Sequence, residues 1–142
     1  MVARRELSEA QVRQRLARRE HNPDDIESAI ARLKEERAID DARTAAAIAR
    51  TETGIKRRGK FRVTRKIESA GIASTTAKRA VDEVFSAIDD DALIEAALAR
   101  RLRGRDTIDD DAGFSRLYRY LIGQGFEPDR VMKTLGARRR RG

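Results

Sequence analysis

Three stretches of this chain carry apolar residues in the same register, and that repetition limits the fold more than any other feature. From Arg57 to Val84 a basic turn, Arg57-Arg58-Gly59-Lys60-Phe61-Arg62, leads into Val63, Ile67 and Ala70, spaced four and three apart as on one helix face. Gly71 breaks the run where a left-handed residue commonly ends a helix. Ile72 follows, and Ser74-Thr75-Thr76 opens a second helical face at Ala77, Ala80, Val81 and Val84. Moving back 51 positions carries Val63, Ile67, Ala77, Val81 and Val84 onto Val12, Leu16, Ile26, Ile30 and Leu33. Moving forward 54 positions carries the first four onto Leu117, Leu121, Val131 and Leu135. The turn recurs as Gly125-Phe126, with Glu20-His21 as its first copy, and Pro23 and Pro128 both stand where a helix begins without needing an amide donor. An internal repeat of about fifty residues marks a solenoid, in which stacked neighbours supply the core that one unit cannot.

Between these anchors the sequence spaces eight helices. The first begins near Ser8, which has capping-box spacing to Gln11, and ends by Glu20. The second starts at Asn22-Pro23 and turns Ile26, Ala29, Ile30 and Leu33 inward. Ile39-Asp40-Asp41 caps an alanine-rich third helix from Ala42 to about Thr53, and Gly54 with Lys56, Arg57 and Arg58 connects it to the fourth. Ile88-Asp89-Asp90 caps a sixth helix that runs through Leu93, Ile94, Ala97, Leu98 and Leu102 to Gly104. Asp109-Asp110-Asp111 suits the positive start of a seventh holding Phe114, Leu117, Tyr118 and Leu121. The eighth starts at Pro128 and keeps Val131, Met132 and Leu135. The position matching Leu33 and Val84 is then Arg138, and the arginine run to Gly142 encodes no ninth helix. The expected fold is all-α: tandem repeats of a three-helix unit in an extended, curved array. The units are 1–55, 56–105 and a truncated third over 106–142 with the basic tail.

Charged residues make up 39% of the chain with both signs interleaved at helical period, which predicts solvated helix faces rather than disorder. With aromatics at 4% and no Trp, a single thick core is not expected. The absence of cysteine removes thiolate chemistry and disulfides and fits a reducing interior. No apolar run approaches the ~20 residues of a membrane span, and Met1-Val2-Ala3-Arg4-Arg5 leads into no hydrophobic signal region, so a cytoplasmic protein is expected.

A net charge of +8 directs attention to anionic partners. The best candidate contact surface is Lys56, Arg57, Arg58, Lys60, Arg62, Arg65 and Lys66, a cluster no acid interrupts in sequence. Arg62, Arg65 and Lys66 lie off the Val63–Ile67 stripe and are expected to be exposed; a solvated face is the plain alternative. Phosphate and carboxylate both attract such arginines, and the sequence leaves the choice open. The tail Arg138, Arg139, Arg140 and Arg141 is a second candidate, balanced against a solubilising end. Arg13, Arg15, Arg18 and Arg19 read as an exposed face with a weak binding role. Tyr118 and Tyr120 fit packing better than base stacking. His21 fits a partly buried spacer in its turn, and the aspartate triplets fit helix caps better than a metal site. With no phosphate-cradling glycine loop and no acid paired with a nucleophile, an enzyme is not expected, and neither is a cofactor.

Several strings taken in order resemble the RecX family, regulators of the RecA recombinase. They are Leu16-Ala17-Arg18-Arg19-Glu20-His21, Ile30 to Glu36 running into Ile39-Asp40-Asp41-Ala42-Arg43, and Arg58-Gly59 followed by Val63, Ile67 and Gly71-Ile72. The resemblance spans nearly the whole chain. It implies a non-enzymatic modulator, read as a monomer, that lies along the RecA filament on single-stranded DNA. Such a protein restrains ATP hydrolysis, strand exchange and filament growth, in DNA repair by homologous recombination and the SOS response. The alternative is a tandem helix-turn-helix protein acting on duplex DNA. The fifth helix offers that reading Thr75, Thr76, Lys78 and Arg79 but no Asn or Gln for base edges.

Overall fold

Residues 6–139 are described by a computed structural model; Arg140, Arg141 and the Met1–Arg5 lead lie outside the described residues. They form α1 (Glu9–Arg18), α2 (Pro23–Glu35), α3 (Asp41–Gly54), α4 (Lys60–Ser69), α5 (Ser74–Phe85), α6 (Asp90–Leu102), α7 (Asp111–Gly123) and α8 (Pro128–Arg138). The one β feature among the described residues is an isolated parallel bridge between Ile108 and Arg139. The all-α helical repeat read from the sequence is therefore the fold.

Most helix starts follow from local chemistry, because short polar side chains satisfy first-turn amides that have no partner within the helix. Ser8 and Gln11 close a reciprocal capping box on α1. Asn22, Asp40, Asp89 and Asp110 cap α2, α3, α6 and α7. Ser74 departs from this pattern. The N-cap of α5 is Ala73, with no side-chain cap, and the Ser74 hydroxyl donates instead to Glu68. The start of α4 also lacks a capping side chain. Its backbone supplies the substitute: the Gly59 and Phe61 amides donate to the carbonyls of Gln124 and Gly125, at 2.7 and 3.0 Å. The α7–α8 turn thus caps α4.

The core is out of phase with the sequence repeat. One buried cluster joins Ala45 and Ala49 of α3 to Val63 and Ile67 of α4 and to Ala77, Val81 and Phe85 of α5. A second joins Ile94, Leu98 and Leu102 of α6 to Leu121 of α7 and Val131 and Leu135 of α8. The third helix of one repeat therefore shares its core with the first two helices of the next. Alanines suit α3 because their small side chains let it approach α4 and α5 closely. Leu93 packs against both clusters and joins them.

The first copy is looser. Ile26 and Ile30 are buried, but Val12, Leu16 and Leu33 are only half-buried. His21 is exposed rather than partly buried, and Met132 is 48% exposed rather than in the core. Arg13 is no free face residue: its guanidinium lies 2.9 Å from Glu27 and bridges α1 to α2. The hydrogen bond to Glu27 is the leading cause that raises its pKa above the ordinary arginine value.

Neighbouring units meet by one repeated contact. The buried Ser8 hydroxyl donates to the Ala70 carbonyl, so the α4–α5 turn sits on the start of α1. Ser8 and Gly59 are equivalent positions, as are Ala70 and Gln124, so this bond and the Gly59–Gln124 bond are the same contact one unit apart. Close approach explains the glycines at both turns. A Cβ on Gly71 would stand 2.4 Å from the Ala10 Cβ, and one on Gly125 would stand 2.4 Å from Arg62. Ser8→Ala removes a cap and a bond between units together. We expect about 2 kcal/mol of lost stability, read as a lower midpoint in urea denaturation. An unchanged midpoint would show that the Ser8 hydroxyl holds neither.

Candidate anion-binding cleft at the start of α4

The carboxyl end of α3 builds the first wall of the candidate site. After α3 the chain turns sharply: Arg57 adopts a left-handed backbone (φ 55°), and the Arg58 amide returns to the Glu52 carbonyl at 2.9 Å. A non-glycine residue in that conformation costs roughly 1–2 kcal/mol. The turn brings Lys56 and Arg58 back over the end of α3, where cations also complement the helix dipole. Arg62, Arg65 and Lys66, spaced three and one apart on α4, form the opposite wall.

These side chains line one open cleft of about 320 Å³, formed by Glu52, Lys56, Arg58, Arg62, Arg65 and Lys66. Glu52 is buried, and its carboxylate pairs with Lys56 at 3.4 Å. Arg62 is half-buried rather than exposed, because its guanidinium donates to the Gly123 carbonyl at 3.1 Å and holds α4 to the α7–α8 turn. The Arg58 Nε is buried and meets no hydrogen-bond acceptor among the described residues. An unmet donor on a charged group in such a position costs on the order of a few kcal/mol. Arg58, Arg65 and Lys66 have no ion pair among the described residues. The arrangement can therefore hold negative charge through forked and single-point donors.

The structure sorts the candidates named from sequence. Lys56, Arg58, Arg62, Arg65 and Lys66 come together, while Arg57 is exposed outside the cleft lining. Lys60 pairs with Asp82 of α5 at 3.1 Å. Arg138 ends α8 and is held by Glu95 at 2.9 Å and by the Asp106 carbonyl. Arg139 pairs with Asp111 and lies 5.3 Å from the Phe114 ring centroid. The start of the basic tail is thereby strapped to α6 and α7 and not to the cleft. Tyr120 stacks under the Arg101 guanidinium at 3.8 Å, and both tyrosines pack against the second core cluster. Glu52 also lines the cleft, an acid that the cationic cluster in the sequence does not announce. Its four-residue spacing to Lys56 on one helix face was the available signal.

Among the described residues no group of His, Asp or Glu is arranged to hold a metal ion, and no helix is long and apolar enough to cross a membrane. Residues 1–33 match the family model described as RecX, first three-helix domain. The chain is similar to the regulatory protein RecX of Halorhodospira halophila, 28% identical over 138 residues, covering 96% of this chain and 83% of that protein. It is 30% identical over 137 residues to the regulatory protein RecX of Chromohalobacter salexigens, covering 95% and 86%. The fold is similar to the crystal structure of RecX from Lactobacillus salivarius, with a TM-score of 0.73 at 18% identity over 93% of this chain and 85% of that one. A second RecX crystal structure gives 0.72 at 17% identity, covering 93% of this chain and 64% of the other. Near-complete coverage at that identity, on a shared helical-repeat fold, places this chain in the RecX family of regulatory proteins.

Proposed function

We propose that the chain binds the RecA filament on single-stranded DNA and damps its ATPase, strand exchange and growth, without catalysing a reaction of its own. The observation that carries this reading is the cationic cleft, a contact surface built from two helices and a strained turn in a protein of the RecX family. The helical array supports it, since weak contacts linked along one chain add as avidity on a polymeric partner. We further propose a monomer working in the cytoplasm, with repeats over 1–55, 56–105 and 106–142. The docking contact shared by successive units supports that division.

The test changes Arg57, Arg58 and Arg65 to Glu in one chain. Arg62 is left intact because it also ties α4 to the α7–α8 turn. The variant is expected to keep its helical circular dichroism, to stop co-sedimenting with RecA–single-strand filaments, and to lose inhibition of ATP turnover. Full inhibition by the variant would remove the cleft from the proposal. Steeply salt-dependent affinity for bare duplex DNA, with no effect on RecA, would favour the helix-turn-helix alternative.

A further inference from the structure

We infer that the cleft between α3 and α4 is a binding site for a multiply charged phosphate oxyanion, with Glu52 setting how much negative charge it accepts. The inference adds ligand chemistry to the contact face above, and it can fail without that reading failing. Charge is the first ground. Five cations and one acid line the cleft, and the acid is already paired with Lys56, which leaves Arg58, Arg62, Arg65 and Lys66 without an ion pair among the described residues. A single carboxylate would answer one of these four; a phosphate, or two joined phosphates, answers more of them.

Geometry is the second ground. Arg58 lines the cleft with no ion pair among the described residues, and its planar guanidinium matches two oxygens of one oxyanion. Arg62 is already oriented by the Gly123 carbonyl, so it does not have to be ordered by the ligand. Exposed Arg65 and Lys66 form the outer wall, where a larger phosphate-bearing molecule can extend into solvent. Glu52 opposes binding through its charge. Its neutral isostere therefore strengthens the site, the reverse of what removing an arginine does.

The test measures pyrophosphate binding to the full chain by titration calorimetry at low salt. Arg58→Gln and Arg65→Gln are each expected to weaken it about tenfold or more, and Glu52→Gln to tighten it. Arg65 is exposed, so its variant reports on the site even if Arg58→Gln fails to fold. Competition by oligothymidylate assigns successive phosphodiesters of one strand, which together supply the multiple charge, as the source, and lack of competition assigns a free phosphate ligand. Equal pyrophosphate affinity in the wild type, Arg65→Gln and Glu52→Gln overturns the site. A tighter hold on polyglutamate than on pyrophosphate overturns the phosphate chemistry and gives the cleft to an acidic protein surface. RecA co-sedimentation of the same variants separates the two readings. Filament binding that depends on the cleft without pyrophosphate binding defeats only the phosphate inference. Pyrophosphate effects with unchanged filament binding defeat only the cleft's part in filament binding.

Discussion

Ile67→Asp is expected to unfold most of the described chain. Ile67 is fully buried within the cluster that α3, α4 and α5 share. A carboxylate there has no partner among the alanines and valines around it. It must shed its hydration or take up a proton, at a cost of several kcal/mol on top of the lost apolar contacts. Single domains hold only about 5–15 kcal/mol in all, so one such change removes much of the total. Because α3 belongs to the same cluster, the damage crosses from the middle repeat into the first. The measurement is helical circular dichroism during urea denaturation, with Ile67→Val as the control at a cost of about 1 kcal/mol. A near-native midpoint for Ile67→Asp would show that this position is not core.

Gly125→Ala should come close behind, for a different reason. Its backbone is left-handed (φ 99°), which an L side chain adopts only with strain. The added Cβ would also stand 2.4 Å from the Arg62 backbone nitrogen, and backbone cannot swing aside as a side-chain tip can. Relief requires the α7–α8 turn to withdraw from α4, which breaks the bonds to the Gly59 and Phe61 amides. Strain and overpacking together are expected to cost about 3 kcal/mol or more. Thermal melting should split into separate transitions as the C-terminal helices uncouple. Gly136→Ala is the matched control. It lies within α8 with open space around its Cβ, so it should stabilise by about 0.5–1 kcal/mol. If both variants melt alike, the turn contact does not hold the units together.

The sequence carried those features that depend on residues close along the chain. Ser8, Asn22, Asp40, Asp89 and Asp110 cap helices as their spacing predicts, and Gly71 and Gly125 end them. The anchors Ile67, Val81, Leu121 and Val131 are all buried, because a helical period reveals which face is apolar. A period does not reveal which neighbour receives that face. The sharing of α3 with α4 and α5, and of α6 with α7 and α8, was therefore hidden, as was the thin packing around Leu16. The cleft was legible in part. Clustered arginines mark a candidate surface, but the buried Glu52, the Gly123 carbonyl that half-buries Arg62, and the acids that hold Lys60, Arg138 and Arg139 come from distant or opposite segments. Only folding brings them within reach.

Glu20 holds the place in the first copy that Gly71 and Gly125 hold in the later ones, with the same left-handed backbone (φ 61°) but with a side chain. Where glycine stands, the turn presses on the unit before it at a distance no Cβ could tolerate. The Cβ of Glu20 therefore bars the first turn from the close backbone contact that the two later turns make.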